Sequence, residues 1–245
     1  MEMATKPPQD LTARVTAAVR HFWHTRGRRT EQQQRPGRAD QGARSAVTGG
    51  AQMDGFVGLL SKLIEDAGMP RSRIFFDSKL ELPGFYRPTK EWDLLVVRDG
   101  QLVCVLEAKS QVGPSFGNNF NNRTEEAIGS AVDLWTAYRE QAFNTDVKPW
   151  LGYLFLLEDC PRSQTPVKVQ EPHFKVFPEF KAASYAKRYE LLCRKLVREN
   201  LYNSAAFLLS LARTGAQGAY TEPAPDLTFA ALARSLIAHV AAHAP

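Results

Sequence analysis

Two short apolar runs, Leu94-Leu95-Val96-Val97 and Leu102-Val103-Cys104-Val105-Leu106, flank an Asp99-Gly100 pair. Asp-Gly between such runs predicts a tight β-hairpin. Upstream, Asp10 can cap a helix to about Arg26, with Leu11, Val15, Ala18, Val19 and Phe22 at helical spacing. Met53 to Ala67 places Phe56, Leu59, Leu60, Leu63 and Ile64 along one helical side, and Gly68 and Pro70 end it. A short strand follows at Ile74 to Phe76, then a proline-rich loop from Leu82 to Pro88. Downstream of the hairpin, Thr124-Glu125-Glu126 opens a helix through Phe143. The nearly unbroken apolar run from Trp150 to Leu157 reads as a strand covered on both faces.

The order helix, three strands, helix, strand predicts an α/β fold with an αβββαβ core and a mixed central sheet. Four prolines break the segment from Cys160 to Pro178, where Phe174 to Phe177 could add an edge strand. Helices are expected at about Phe180 to Glu199, Tyr202 to Arg213 and Asp226 to Ala242. A single domain of 245 residues results. It has a basic helix and arm over about 10–50, a core over about 51–160 and a C-terminal helical region over about 178–243.

The hairpin carries charge where strands normally do not. Asp93 opens its first strand, and Glu107 and Lys109 stand two apart on the second. Buried charges are costly unless paired or metal-bound, so the grouping calls for a chemical reason. Phosphodiester hydrolysis supplies one, because charge building on the phosphate is offset by a hard cation and a fixed ammonium group. Asp93, Glu107 and the backbone carbonyl of Ala108 form an oxygen set suited to Mg²⁺. Period-2 alternation puts Lys109 on the face of Glu107, where it could orient a water or steady the phosphate, while Ala108 points into the core.

Strand geometry sets a condition on this site. A plain two-residue turn at Asp99-Gly100 pairs residues whose numbers sum to 199, which sets Asp93 opposite Leu106 and Glu107 on the other face. A shared face needs an even sum, hence a three- or five-residue loop or one bulge.

The charge balance suits a polyanionic partner without establishing one. With 31 basic and 26 acidic residues the net charge is +5 and the pI about 9.1. Arg14 to Arg44 holds eight arginines against two acids, an arm that could lie along phosphates or form a solvated surface. Lys181 to Arg198 carries six basic residues against one acid, with the same two readings. Between Ser110 and Arg123 lies a segment with a proline, four asparagines, a glutamine and an arginine, read as a loop leaving the catalytic strand. Asn and Gln bond adenine bidentately and Arg does so with guanine, so Gln111, Asn118, Asn119, Asn121, Asn122 and Arg123 are the candidate base readers.

Other classes find little support. Cys104, Cys160 and Cys193 have no C-x-x-C spacing and are expected to be reduced. His21 and His24 share a helical face but lack a further ligand. No phosphate-binding glycine loop, nucleophile elbow or zinc motif occurs. No apolar run approaches a membrane span and no signal-peptide region is evident, so a cytoplasmic bacterial protein is expected. Glu65, near the end of its helix, could reach the metal or stay on a solvated surface.

An Asp followed by Glu-x-Lys on the next strand resembles the PD-(D/E)xK nuclease superfamily. The wording around it is more specific. Residues Pro88-Thr89-Lys90-Glu91-Trp92-Asp93-Leu94-Leu95-Val96-Val97 resemble the XhoI family of Type II restriction endonucleases. So do Glu107-Ala108-Lys109-Ser110-Gln111-Val112-Gly113-Pro114-Ser115-Phe116-Gly117-Asn118-Asn119-Phe120-Asn121-Asn122-Arg123. The likeness extends from Phe22-Trp23-His24-Thr25-Arg26 and Val47-Thr48-Gly49-Gly50 to Leu134-Trp135-Thr136-Ala137-Tyr138-Arg139-Glu140. One departure is Trp92, which stands where the superfamily pattern has Pro. The resemblance implies a Mg²⁺-dependent homodimer that cuts duplex DNA at CTCGAG after the first C, leaving 5′-phosphates and four-base overhangs. A specific cutter also implies a DNA methyltransferase that protects the host. A repair or junction-resolving nuclease and a non-catalytic DNA-binding protein are the alternatives.

Overall fold

The apolar runs assemble into a five-stranded sheet in the computed structural model, which describes residues 6–33, 50–145 and 147–245. In spatial order its strands are β1 (Ile74–Phe75), β4 (Leu94–Arg98), β5 (Gln101–Gln111), β6 (Trp150–Glu158) and β7 (Ser204–Ser210). The pairs β1–β4 and β4–β5 are antiparallel, whereas β5–β6 and β6–β7 are parallel. A separate antiparallel ribbon joins β2 (Glu81–Pro83) to β3 (Thr89–Glu91).

The helices are α1 (Leu11–Gln33), α2 (Asp54–Asp66), α3 (Phe116–Arg139), α4 (Pro161–Gln164), α5 (Tyr185–Arg198), α6 (Ala212–Gly215) and α7 (Phe229–His243). They form layers on both sheet faces. One core joins α1, α2 and α7 to Leu94, Val96, Cys104, Leu106, Leu154 and Leu208. The other joins α3 and α5 to Leu95, Val105, Tyr153, Phe155 and Phe207. Successive strand residues enter opposite cores, so strands covered on both sides read as continuous apolar runs.

In the central sheet the expected αβββαβ order is present from α2 to β6, with β1, β4 and β5 as its three strands. Several elements depart from expectation for identifiable reasons. The helix expected over Tyr202 to Arg213 is absent, apart from Ala212 and Arg213, which open the short α6. Ser204–Ser210 is β7, buried along nearly its whole length and parallel to β6. A short all-apolar run carries no period to separate helix from strand, and burial between two helical layers decides for the strand. The C-terminal region is therefore not purely helical. Phe174 to Phe177 forms no strand; Phe174 and Phe177 are exposed. The β2–β3 ribbon replaces part of the expected proline-rich loop.

Two helices are longer than expected. α1 continues past Arg26 through Gly27 to Gln33, despite a helical cost of about 1 kcal/mol at the glycine. α3 begins at Phe116, eight residues before Thr124. Asn is a weak helix former, but Phe116 stacks on Tyr185 at 5.9 Å and Phe120 meets Tyr189 edge-on at 5.1 Å. Their i,i+4 spacing pins the asparagine-rich turns to α5.

Val47 to Gly49 and the arginines from Arg29 to Arg44 lie outside the residues whose side chains are described. Elsewhere the basic segments are partly paired within the chain. Arg14 pairs with Asp10, Lys187 and Arg194 pair with Glu190, and Lys195 pairs with Glu179. His21 and His24 direct Nε2 to the backbone carbonyls of Ala51 and Ala216, at 3.3 and 3.0 Å. The three cysteines are unpaired. Among the described residues, no helix is long and apolar enough to cross a membrane.

Candidate active site

The hairpin meets its geometric condition through a bulge. Asp99 and Gly100 both take positive φ, 51° and 79°, and make a two-residue turn in which Arg98 faces Gln101. The register then shifts. Val97 faces Leu102, but Val96 faces Cys104, which leaves Val103 as the extra residue. Leu94 consequently faces Leu106, and Asp93 extends the same register toward Glu107. Backbone bonding continues into this end, since Asp93 N–H donates to Leu106 O at 3.2 Å. Trp92, the departure from the superfamily pattern, is buried and donates its backbone N–H to Leu80 O.

Three functional groups now converge. Lys109 Nζ lies 3.3 Å from Glu107 Oε1 and 3.6 Å from Asp93 Oδ2. Asp93 Oδ2 also accepts from the Ala108 N–H at 2.8 Å, which fixes the carboxylate against β5. Glu107 is only 2% exposed and has two further partners. Lys90 Nζ, from β3, reaches Oε1 at 3.0 Å while sitting 4.1 Å above the Trp92 ring. The Tyr202 hydroxyl donates to Oε2 at 3.0 Å.

These contacts set the charge states. Burial pushes the Glu107 carboxyl up, but Lys109, Lys90 and Tyr202 together reverse this and hold it below the usual carboxylate range. Burial likewise pushes the Lys109 ammonium down, and Glu107 and Asp93 raise it above its ordinary value. Glu107 is thus ionised and Lys109 protonated at neutral pH. Two carboxylates already face one positive centre, the geometry that a small divalent ion needs. Among the described residues no group of three or more His, Cys, Asp or Glu is placed to hold a metal ion. Two carboxylates and the Ala108 carbonyl fit Mg²⁺, which keeps several waters and completes its shell with substrate oxygens.

Two clefts open beside this group. The larger, about 440 Å³, is bordered by Asp93, Ala108, Lys109, Asp54 and Gln52, whose amide donates to Ser110 Oγ at 2.9 Å. The smaller, about 360 Å³, is bordered by Arg87, Lys90 and Glu107. Lys109 and Arg123 line both.

The candidate base readers divide by position. Gln111 is in β5, buried, and its side chain donates to Val112 O. Asn118, Asn119, Asn121, Asn122 and Arg123 ride on the first turns of α3 rather than on a loop; Asn118, Asn121 and Asn122 are exposed. Arg123 pairs with Glu126. Glu65 pairs with Lys62 at 3.1 Å and borders neither cleft. Sequence reasoning missed Lys90, Tyr202 and Asp54. Lys90 lies on the unforeseen ribbon, and Tyr202 arrives from the entry to an unforeseen strand.

The XhoI restriction endonuclease family model matches residues 32–222. A Type II restriction enzyme, BstVI of Geobacillus stearothermophilus, is 55% identical over 210 residues, covering 84% of this chain and 94% of the relative. XhoI of Xanthomonas vasicola is 49% identical over 190 residues, covering 77% and 75%. AbrI of Azospirillum brasilense is 49% identical over 167 residues, covering 68% and 75%. No solved structure gives a significant match. With a family match spanning most of its length and an Asp, Glu and Lys gathered at one end of its hairpin, this chain belongs to the XhoI family of Type II restriction endonucleases.

Proposed function

We propose that the chain hydrolyses double-stranded DNA at CTCGAG, after the first C of each strand, leaving 5′-phosphates and four-base 5′ overhangs. Mg²⁺ is the cofactor, and a homodimer matches the two-fold symmetry of the palindrome. The convergence of Asp93 and Glu107 on the Lys109 ammonium carries this reading. The likeness of residues 88–97 and 107–123 to the family supports the particular site.

Asp93, Glu107 and the Ala108 carbonyl would hold the ion. Bound Mg²⁺ supplies positive charge that offsets the build-up on the phosphate. The remaining work falls to the chain. Lys109, protonated and fixed between the carboxylates, can donate to the attacking water or to a phosphate oxygen. Arg123, bordering both clefts, adds positive charge where the strand passes. The exposed asparagines of α3 are presented for base contact. Such a cutter needs a DNA methyltransferase as its functional partner, and the pair acts in the bacterial cytoplasm.

A plasmid carrying one CTCGAG site tests the reading. Linearisation at that site with Mg²⁺, abolished by EDTA and by Glu107→Ala, is the expected result. Nicking without sequence preference would favour a repair or junction-resolving nuclease. A band shift with no cleavage in any metal would leave a non-catalytic DNA-binding protein.

A further inference from the structure

The β2–β3 ribbon turns between the paired residues Pro83 and Thr89, and its tip points two large rings outward. Phe85 is 52% and Tyr86 69% exposed, the rings meeting edge to face at 5.0 Å. Aromatic area of this size is normally buried or in contact with a partner. The loop is nevertheless firmly braced. Asp133 of α3, itself buried, accepts from the N–H groups of Phe85 and Tyr86 at 2.7 and 2.9 Å and from Arg87 Nε at 2.6 Å. Gly84 permits this closeness, because a Cβ there would stand 2.6 Å from Asp133 Oδ2 and 2.8 Å from Arg87 O. A buried acid and a glycine thus hold two rings in the open.

Position identifies what the rings meet. Arg87, the next residue, borders the smaller cleft with Lys90, Glu107 and Lys109. We propose that Phe85 and Tyr86 form a base-contacting wedge, stacking on or between bases of the DNA beside the cleaved phosphate, with Arg87 toward the backbone. The proposal rests on reading the cleft as the DNA-cleaving site. Rings fixed before binding lose little entropy on contact, and every base presents a π-face to them. Inserted apolar side chains also unstack and kink a duplex at the step they enter.

The test is binding of a short labelled duplex carrying one CTCGAG site, with Ca²⁺ in place of Mg²⁺ to prevent cleavage. Phe85→Ala with Tyr86→Ala is expected to weaken binding roughly 10- to 100-fold, the scale of lost base stacking. The slope of affinity against salt should stay unchanged for that pair, whereas Arg87→Ala should reduce it by about one. Tyr86→Phe should bind like wild type. Unchanged affinity in the double variant would overturn the proposal. So would a DNA-free double variant that sediments as monomer where wild type is a dimer, since the rings would then join subunits. Equal wild-type binding to a scrambled duplex would defeat the CTCGAG reading alone; a loss by the double variant on both duplexes would still sustain the wedge.

Discussion

Tyr202 and Glu107 lie 95 positions apart, yet the phenol donates to Oε2 of the buried carboxylate at 3.0 Å. The same hydroxyl lies 3.1 Å from Ala127 O, but it has one proton and the ionised carboxylate is the stronger acceptor. Oε2 is thereby occupied, and Oε1 is the oxygen turned to Lys90 and Lys109.

Tyr202→Phe keeps the ring and removes that donor. The stranded oxygen should cost about 1–3 kcal/mol of stability, read by urea unfolding. Loss of a partner that orients a metal ligand typically weakens metal affinity about 10- to 100-fold, so Mn²⁺ binding and the half-saturating Mg²⁺ concentration should shift on that scale. Unaltered metal binding would leave Tyr202 a packing residue only.

Lys109→Ala should lower the single-turnover cleavage rate by about 10²–10³-fold, the usual effect of removing one positioned charge-stabilising donor. Specific DNA binding in Ca²⁺ should persist within a few-fold. A rate close to wild type would remove Lys109 from the chemistry.

Asp133 gives a pH-dependent prediction. Its burial would raise the carboxyl, but Arg87 and the amides of Tyr86 and Phe85 hold it below its ordinary value. A depressed acid contributes stability that is present above its unfolded value of about 3.9 and lost as pH falls through the lower folded value. Arg87 is 42% exposed, so part of its attraction is screened, and the two amide bonds add to what remains. Asp133→Asn should lower stability by about 1–3 kcal/mol at neutral pH. Its denaturant midpoint should then vary less than wild type's below about pH 4. Parallel curves for the two proteins would refute the assignment.

How much of this was readable beforehand follows from the range of each interaction. The hairpin, α2 and β6 announce themselves through local period and turn chemistry, and the αβββαβ order follows. Asp93, Glu107 and Lys109 stand out as charges in apolar strands. The true start of α3 depends on Phe116 and Phe120 meeting tyrosines far along the chain, against the weak propensity of the asparagines between them. β7 lacks any period because it is buried on both sides. Lys90, Tyr202 and Asp133 act through contacts 17, 95 and at least 46 positions away, which no local pattern encodes.

The extra residue at Val103 is a spare position in the ladder. Between the Arg98–Gln101 pair and the site, β5 carries one residue more than β4, so deleting Val103 leaves Val97 opposite Leu102, Val96 opposite Cys104 and Asp93 opposite Glu107 in an unbroken register. That deletion should therefore yield a folded protein, judged by circular dichroism, that still cuts DNA. Deleting Val96 from β4 instead sets Asp93 opposite Leu106 and should abolish cleavage. β4 is buried at Leu94, Leu95 and Val96, so the inverted strand still finds core on both sides and the fold should survive. The hairpin tolerates a shorter β5 and not a shorter β4, an asymmetry of one residue.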